Sequence, residues 1–167
     1  MLSLLNEQRR INGLSALKID PKLEAMARRY CQEMITNRFF SHTSPVSGGL
    51  LNRIMDSEIP NGWLLAGENL AGAPTVEAAF EGLMQSPSHK DNMLEPKYTH
   101  AGIAVIDGGP YGKMFVQEFI EYPEDMLSKA ANDSQSNLAA FLSANLFYPE
   151  SSILDFSKST GNTADNT

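Results

Sequence analysis

Apolar residues recur at helical spacing through the first half of the chain and change to strand-like alternation after residue 100. Leu2, Leu5 and Ile11, separated by Asn6, Glu7, Arg9 and Arg10, predict a short opening helix that Asn12-Gly13 stops. Asp20-Pro21 sets an N-cap ahead of a first-turn proline. Leu23, Met26, Ala27, Tyr30 and Met34 then share one stripe, which predicts a helix over residues 21–38. Beyond Phe39-Phe40 lies a loop, Ser41-His42-Thr43-Ser44-Pro45, and then a helix carrying Leu50, Leu51, Ile54 and Met55. Pro60-Asn61-Gly62 ends it, and residues 63–70 read as an apolar, partly extended segment. Thr75 opens a helix through Ala79, Phe80 and Leu83 that stops near Ser86-Pro87, because proline disfavours a helical residue before it. His89, Asn92, Met93 and Leu94 make a further short turn. Residues 101–106 and 113–120 read as strands, the second alternating Met114, Val116 and Glu118 against Phe115, Gln117 and Phe119. The turn-rich stretch between them predicts an antiparallel hairpin.

After Tyr122-Pro123 the composition shifts to Asn, Ser, Ala and Asp, with one apolar island over residues 138–148. The island holds too little apolar surface for a core of its own, so it is expected to form a helix over residues 136–146 docked on the main domain or on a second copy. Residues 157–167, with almost nothing to bury, are expected to be a mobile tail. The organisation is therefore one domain over residues 1–123 and an extension over 124–167. A chain of 167 residues with 42% apolar content suits a single core. A formal charge of -7 supplies no basic face, which argues against nucleic acid as a partner. Cys31 is the only cysteine and sits on an amphipathic helix, so it is read as a small core residue. No run approaches the ~20 apolar residues that span a bilayer. Asn6, Glu7, Arg9 and Arg10 interrupt the apolar start before it could act as a signal peptide.

Histidine is scarce: His42, His89 and His100 are the three. The first two sit in loops dense with Ser, Pro, Thr and Asn, where binding groups concentrate, although each alone also suits a capping or surface role. Glu68, between Gly67 and Asn69 in an apolar segment, is either a buried carboxylate that pins the loop or a ligand or base. These readings are compatible, since a carboxylate beside imidazoles orients the rings and equips a site for a divalent metal or for water activation. No close-spaced metal motif, nucleophile elbow, P-loop or dinucleotide fingerprint is present.

The series Leu4-Leu5-Asn6-Glu7-Gln8-Arg9, Phe40-Ser41-His42-Thr43-Ser44-Pro45, Gly67-Glu68-Asn69-Leu70-Ala71, Ser86-Pro87-Ser88-His89-Lys90-Asp91-Asn92-Met93-Leu94 and Ala101-Gly102-Ile103-Ala104-Val105 resembles, in that order, a bacterial CAP (SCP-like) domain. The superfamily takes its name from cysteine-rich secretory proteins, antigen 5 and pathogenesis-related 1 proteins. The resemblance covers residues 2–122 and implies an α+β fold, a three-layer α-β-α sandwich with a central antiparallel sheet. It also implies a cleft with two histidines and two acids that in some members holds zinc. By motif the histidines fall on His42 and His89 and one acid on Glu68. The fourth cleft position falls on Ser86, with Glu81 about a turn earlier, and His100 is read as structural. Zinc or another divalent metal is expected on His42 and His89, with Glu68 in a supporting shell or as a ligand.

The resemblance further implies a secreted or cell-envelope setting. The favoured function is an extracellular binding module for a small or lipidic ligand, a peptide or a cell-wall component. A metal-dependent, protease-like hydrolase using His42, Glu68 and His89 as catalytic residues is the alternative. Self-association through the C-terminal extension is a further expectation.

Overall fold

The computed structural model describes residues 1–145, apart from the side chains of Ala130 and of residues 141–145. The elements run α1 (Leu2–Ile11), β1 (Lys18–Ile19), α2 (Pro21–Asn37), α3 (Leu50–Met55), β2 (Leu65–Ala73), α4 (Val76–Gln85), α5 (Pro87–Met93), β3 (His100–Asp107), β4 (Lys113–Glu121) and α6 (Glu124–Asn145). Local chemistry sets the boundaries. The Asp20 carboxylate accepts from the backbone N–H groups of Lys22 and Leu23 at the start of α2, and the Thr75 hydroxyl accepts from that of Ala78 at the start of α4.

The sheet has the strand order β1-β3-β4-β2. β3 and β4 form the expected antiparallel hairpin. β2 pairs antiparallel with β4 along its whole length, from Leu65 opposite Glu121 to Ala73 opposite Lys113. The segment read as partly extended is thus a nine-residue strand on the sheet edge. β1, only two residues long and parallel to β3, carries no alternation that could reveal it in sequence.

Alternation along the strands divides the core into two faces. Leu70, Ala104, Met114 and Val116 pack against Ala27, Tyr30, Cys31 and Met34 of α2. Ala101 and Phe119 pack on the opposite side against Leu5 of α1, Phe80 and Leu83 of α4, and Met93 of α5. Helices therefore cover both faces of the sheet, giving the expected α-β-α layers. Gly102 lets α2 come close to β3, because a Cβ there would collide with the backbone of Leu23 and Glu24. Cys31 is fully buried, and burial pushes its thiol pKa up to about 12, as suits a core thiol.

The chain divides into two compact units after Leu127. In the first, Met126 and Leu127 pack with Ile54, Ile59 and Tyr122. The helix expected over residues 136–146 instead begins at Glu124, because Glu124 and Asp125 in the first turn complement the helix dipole where the apolar island offers no start signal. Leu138, an expected docking residue, is 58% exposed. The expectations for the side chains of Phe141 and Leu142 and for residues 146–167 lie outside the described residues.

Candidate functional site

The Gly67-Glu68-Asn69 segment works because successive strand residues point to opposite faces. Glu68 reaches toward α2 and α3, whereas Asn69 reaches toward α5. Gly67 leaves room on the α5 side, where a Cβ would strike the Tyr98 hydroxyl and approach Asn92 Oδ1 to 3.0 Å. One tripeptide thereby ties both helical layers to the edge strand.

On the α2 side, His42 Nδ1 donates to Glu68 Oε1 at 2.7 Å. The other carboxylate oxygen, Oε2, takes the Arg53 Nη2 donor and forms a buried ion pair. With both oxygens engaged and only 3% of its side chain exposed, Glu68 orients His42, whose ring stays 59% exposed. A donating Nδ1 leaves the His42 Nε2 as its free nitrogen. Arg53 also donates to the carbonyls of Gly48 at 2.9 Å and His42 at 3.4 Å, so it holds the loop that presents the histidine. Its guanidinium lies 3.5 Å over the Tyr30 ring, and the Tyr30 hydroxyl donates to the Ser41 carbonyl.

Across the edge, Asn69 Nδ2 donates to the His89 carbonyl at 3.0 Å and to Gln117 Oε1 at 3.1 Å. Asn92 Nδ2 donates to the Glu68 carbonyl at 3.1 Å and to Asn69 Oδ1 at 3.0 Å. These amides seat α5 on β2. His89 Nδ1 shares a hydrogen bond of 2.8 Å with the Ser86 hydroxyl. Burial lowers the His89 pKa, and the charge of His42 lowers it further. Ser86 thus touches a candidate histidine, whereas Glu81 lies exposed on α4. His100 sits apart, edge-to-face with Tyr122 at 5.2 Å.

Sequence reasoning missed Arg53 and Glu118. Glu118 faces Glu68 in the β2–β4 register, is fully buried, and lies 3.9 Å from Arg53 Nη2. Among the described residues, neither of its carboxyl oxygens has a hydrogen-bond partner of normal geometry. Burial, reinforced by the Glu68 charge, raises its pKa well above the usual carboxylate range. The available signal was Gln117-Glu118, a polar pair in the middle of a strand otherwise apolar on both faces.

The imidazoles meet part of the requirement for a metal: His42 has a free Nε2 and an orienting carboxylate. Among the described residues, no group of three or more His, Cys, Asp or Glu is placed to hold an ion. Glu68 fixes the His42 ring and Ser86 hydrogen-bonds the His89 ring.

The fold and motifs have counterparts in known proteins. YkwD of Bacillus subtilis (strain 168) is 33% identical over 121 residues, covering 72% of this chain and 45% of the relative. A solved extracellular protein containing an SCP domain, from Bacillus anthracis, is 31% identical with a TM-score of 0.63, covering 72% of this chain and 38% of that one. The chain thus spans less than half the length of these two relatives. An outer surface protein of Borrelia burgdorferi, 24% identical with a TM-score of 0.66 over 73% of this chain and 90% of its own, shares the fold. Residues 2–119 match the model of the cysteine-rich secretory protein family, and the chain belongs to that family, CAP.

Proposed function

We propose that this domain is an extracellular binding module whose cleft engages its ligand through the imidazoles of His42 and His89. The observation that carries this reading is the state of Glu68: both oxygens are engaged, one by His42 and one by Arg53, in a nearly inaccessible carboxylate. A base that takes a proton from water needs a free, reachable oxygen. A carboxylate in this position instead fixes an imidazole for recognition. The extracellular setting is carried over from the Bacillus anthracis relative, described as an extracellular protein. The ligand is a small polar or lipidic molecule or an envelope component.

Zinc is the simplest probe of the two imidazoles. Bound there, it would supply a positive charge for a ligand's anionic group, with His42 and His89 holding it and Glu68 fixing the His42 ring. The affinity should be modest, since two protein ligands are fewer than zinc sites ordinarily use. Titration calorimetry with zinc should give saturable heat for the wild type and its loss in His42→Ala. Equal heat from both proteins would reject the site. Cleavage of a peptide library by the wild type, abolished in Glu68→Gln, would favour the hydrolase instead.

A further inference from the structure

A cavity of about 240 Å³ opens between α2 and α3, and none of His42, Glu68 or His89 lines it. It is smaller than the roughly 300 Å³ at which drug-sized pockets begin, so it suits a molecule of few atoms. Met26 and Tyr30 of α2 give it one wall, and charged or hydroxyl side chains from both helices and from the turn before α3 make up the rest.

Two of those polar groups are buried without a partner. Arg53, with 4% of its side chain exposed, distributes its donors unevenly. Nη2 goes to Glu68 and Nη1 to the carbonyls of Gly48 and His42, whereas the Nε–H has no hydrogen bond among the described residues. The buried Ser47 hydroxyl lacks one as well. Native proteins leave few buried polar groups unmatched, and each one calls for a partner. Here both line the same hollow, where a bound molecule supplies what the chain does not.

The mouth carries charges of both signs. Arg29 of α2 and Asp56 at the end of α3 are exposed there, and among the described residues neither forms an ion pair with the other or elsewhere. Glu33 adds a second carboxylate, held in place because its Oε1 accepts from the Ser44 hydroxyl. A bare anion entering the cavity would find donors on Arg53 and Arg29 but would also face two carboxylates. A bare cation would meet the reverse. A molecule with both charges close together is matched by the whole lining.

We propose that this cavity binds a small zwitterion of the α-amino acid type, its carboxylate on the Arg53 Nε–H and the Ser47 hydroxyl and its ammonium on Asp56 and Glu33. The site is independent of the His42–His89 reading. Arg53 serves the cleft through its Nη atoms and this cavity through Nε, so each reading can fail without the other. Titration of the amide NMR spectrum with L-alanine should move the signals of Arg29, Ser47 and Asp56 and reach saturation. Propionate and ethylamine, which each keep one of the two charges, should bind about tenfold more weakly. Ser47→Ala should weaken L-alanine about fivefold, the loss of one hydrogen bond. Its unfolding temperature should be the same or higher, because the hydroxyl removed has no partner. Asp56→Asn, altered at an exposed side chain, should weaken L-alanine about tenfold without weakening propionate. His42→Ala should bind L-alanine as the wild type does. The absence of a saturable shift would leave water as the occupant and overturn the proposal. So would propionate binding as tightly as L-alanine, which would make the cavity an anion site, an unchanged L-alanine affinity in either cavity variant, or loss of L-alanine binding in His42→Ala.

Discussion

Two arginines are buried in this domain, and they are satisfied in opposite ways. Arg9, fully buried on α1, donates to four backbone carbonyls: Ser15, Met93, Glu95 and Tyr98. Each partner is a neutral dipole, and the guanidinium sews the opening helix to the segment between α5 and β3. Arg53 is set between two carboxyl groups and an aromatic ring, and among the described residues its Nε and the Glu118 oxygens lack a hydrogen bond. The first arrangement completes a structure. The second joins a buried ion pair to the exposed His42 imidazole and sets a second carboxyl of raised pKa beside it, so its balance depends on protonation where that of Arg9 does not.

Removing each arginine in turn should break the comparison open. Arg53→Leu leaves an ionised Glu68 buried without its counter-charge and should cost about 3–5 kcal/mol. The loss should grow as pH rises above 4.5, the ordinary Glu value, because the carboxyls left behind would then carry raised pKa values in the folded state and resist ionisation. A loss under about 1 kcal/mol in denaturant titration would show that the pair already shares a proton and does not need the guanidinium. Arg9→Leu should cost less, about 2–3 kcal/mol, from orphaned carbonyls. That loss should vary little across mildly acidic and neutral pH, since its hydrogen-bond partners are carbonyls that do not titrate and the Glu95 charge near it is the smaller influence. A steep pH slope would put Arg9 in the same class as Arg53.

Glu118→Gln should have the opposite sign. A carboxyl whose pKa is raised in the folded state has its full stability below its unfolded value and loses it as pH climbs toward the raised one. Glutamine escapes that loss, so the variant should gain on the order of 1 kcal/mol at neutral pH. The gain should vanish below pH 4.5. Neutral-pH destabilisation of the variant would mean that Glu118 is ionised and is a true partner of Arg53.

The sequence carried the fold further than it carried the site. Helix α2 was legible from Asp20-Pro21 and a five-residue apolar stripe, and the β3–β4 hairpin from alternation around a glycine-rich turn. His42 and His89 stood out in loops dense with polar residues, and Glu68 stood out as a carboxylate inside an apolar segment. Arg53 was not, since α3 is only six residues long and one cation there reads as a solvated position. The pairing of Glu68 with Glu118 depends on register, and no local pattern states which strand lies beside β2. The long α6 was obscured because its start rests on two acidic residues rather than on apolar spacing.

The smallest expected effect concerns the histidine outside the cleft, and it tests whether His100 is structural. His100 Nδ1 shares a hydrogen bond of 3.0 Å with the Thr99 hydroxyl, and its ring meets Tyr122, whose own hydroxyl donates to Asp20 at 2.6 Å. Burial lowers its pKa from 6.5; the nearby Asp20 charge opposes the shift, and Lys18 adds to it. A depressed imidazole pKa gives stability that is present above the unfolded value and lost as pH falls through the folded one. The wild type should therefore weaken below pH 6.5 by an amount that His100→Asn does not share. The stability difference between the two proteins should be constant above that pH and shrink beneath it. Because the ring is only half-buried and partly screened, the change should stay below about 1 kcal/mol. Parallel denaturant titrations of the two proteins at mildly acidic and at alkaline pH would measure it. A difference that widens on acidification would mean that Asp20 dominates and that the charged imidazole is the stabilising form.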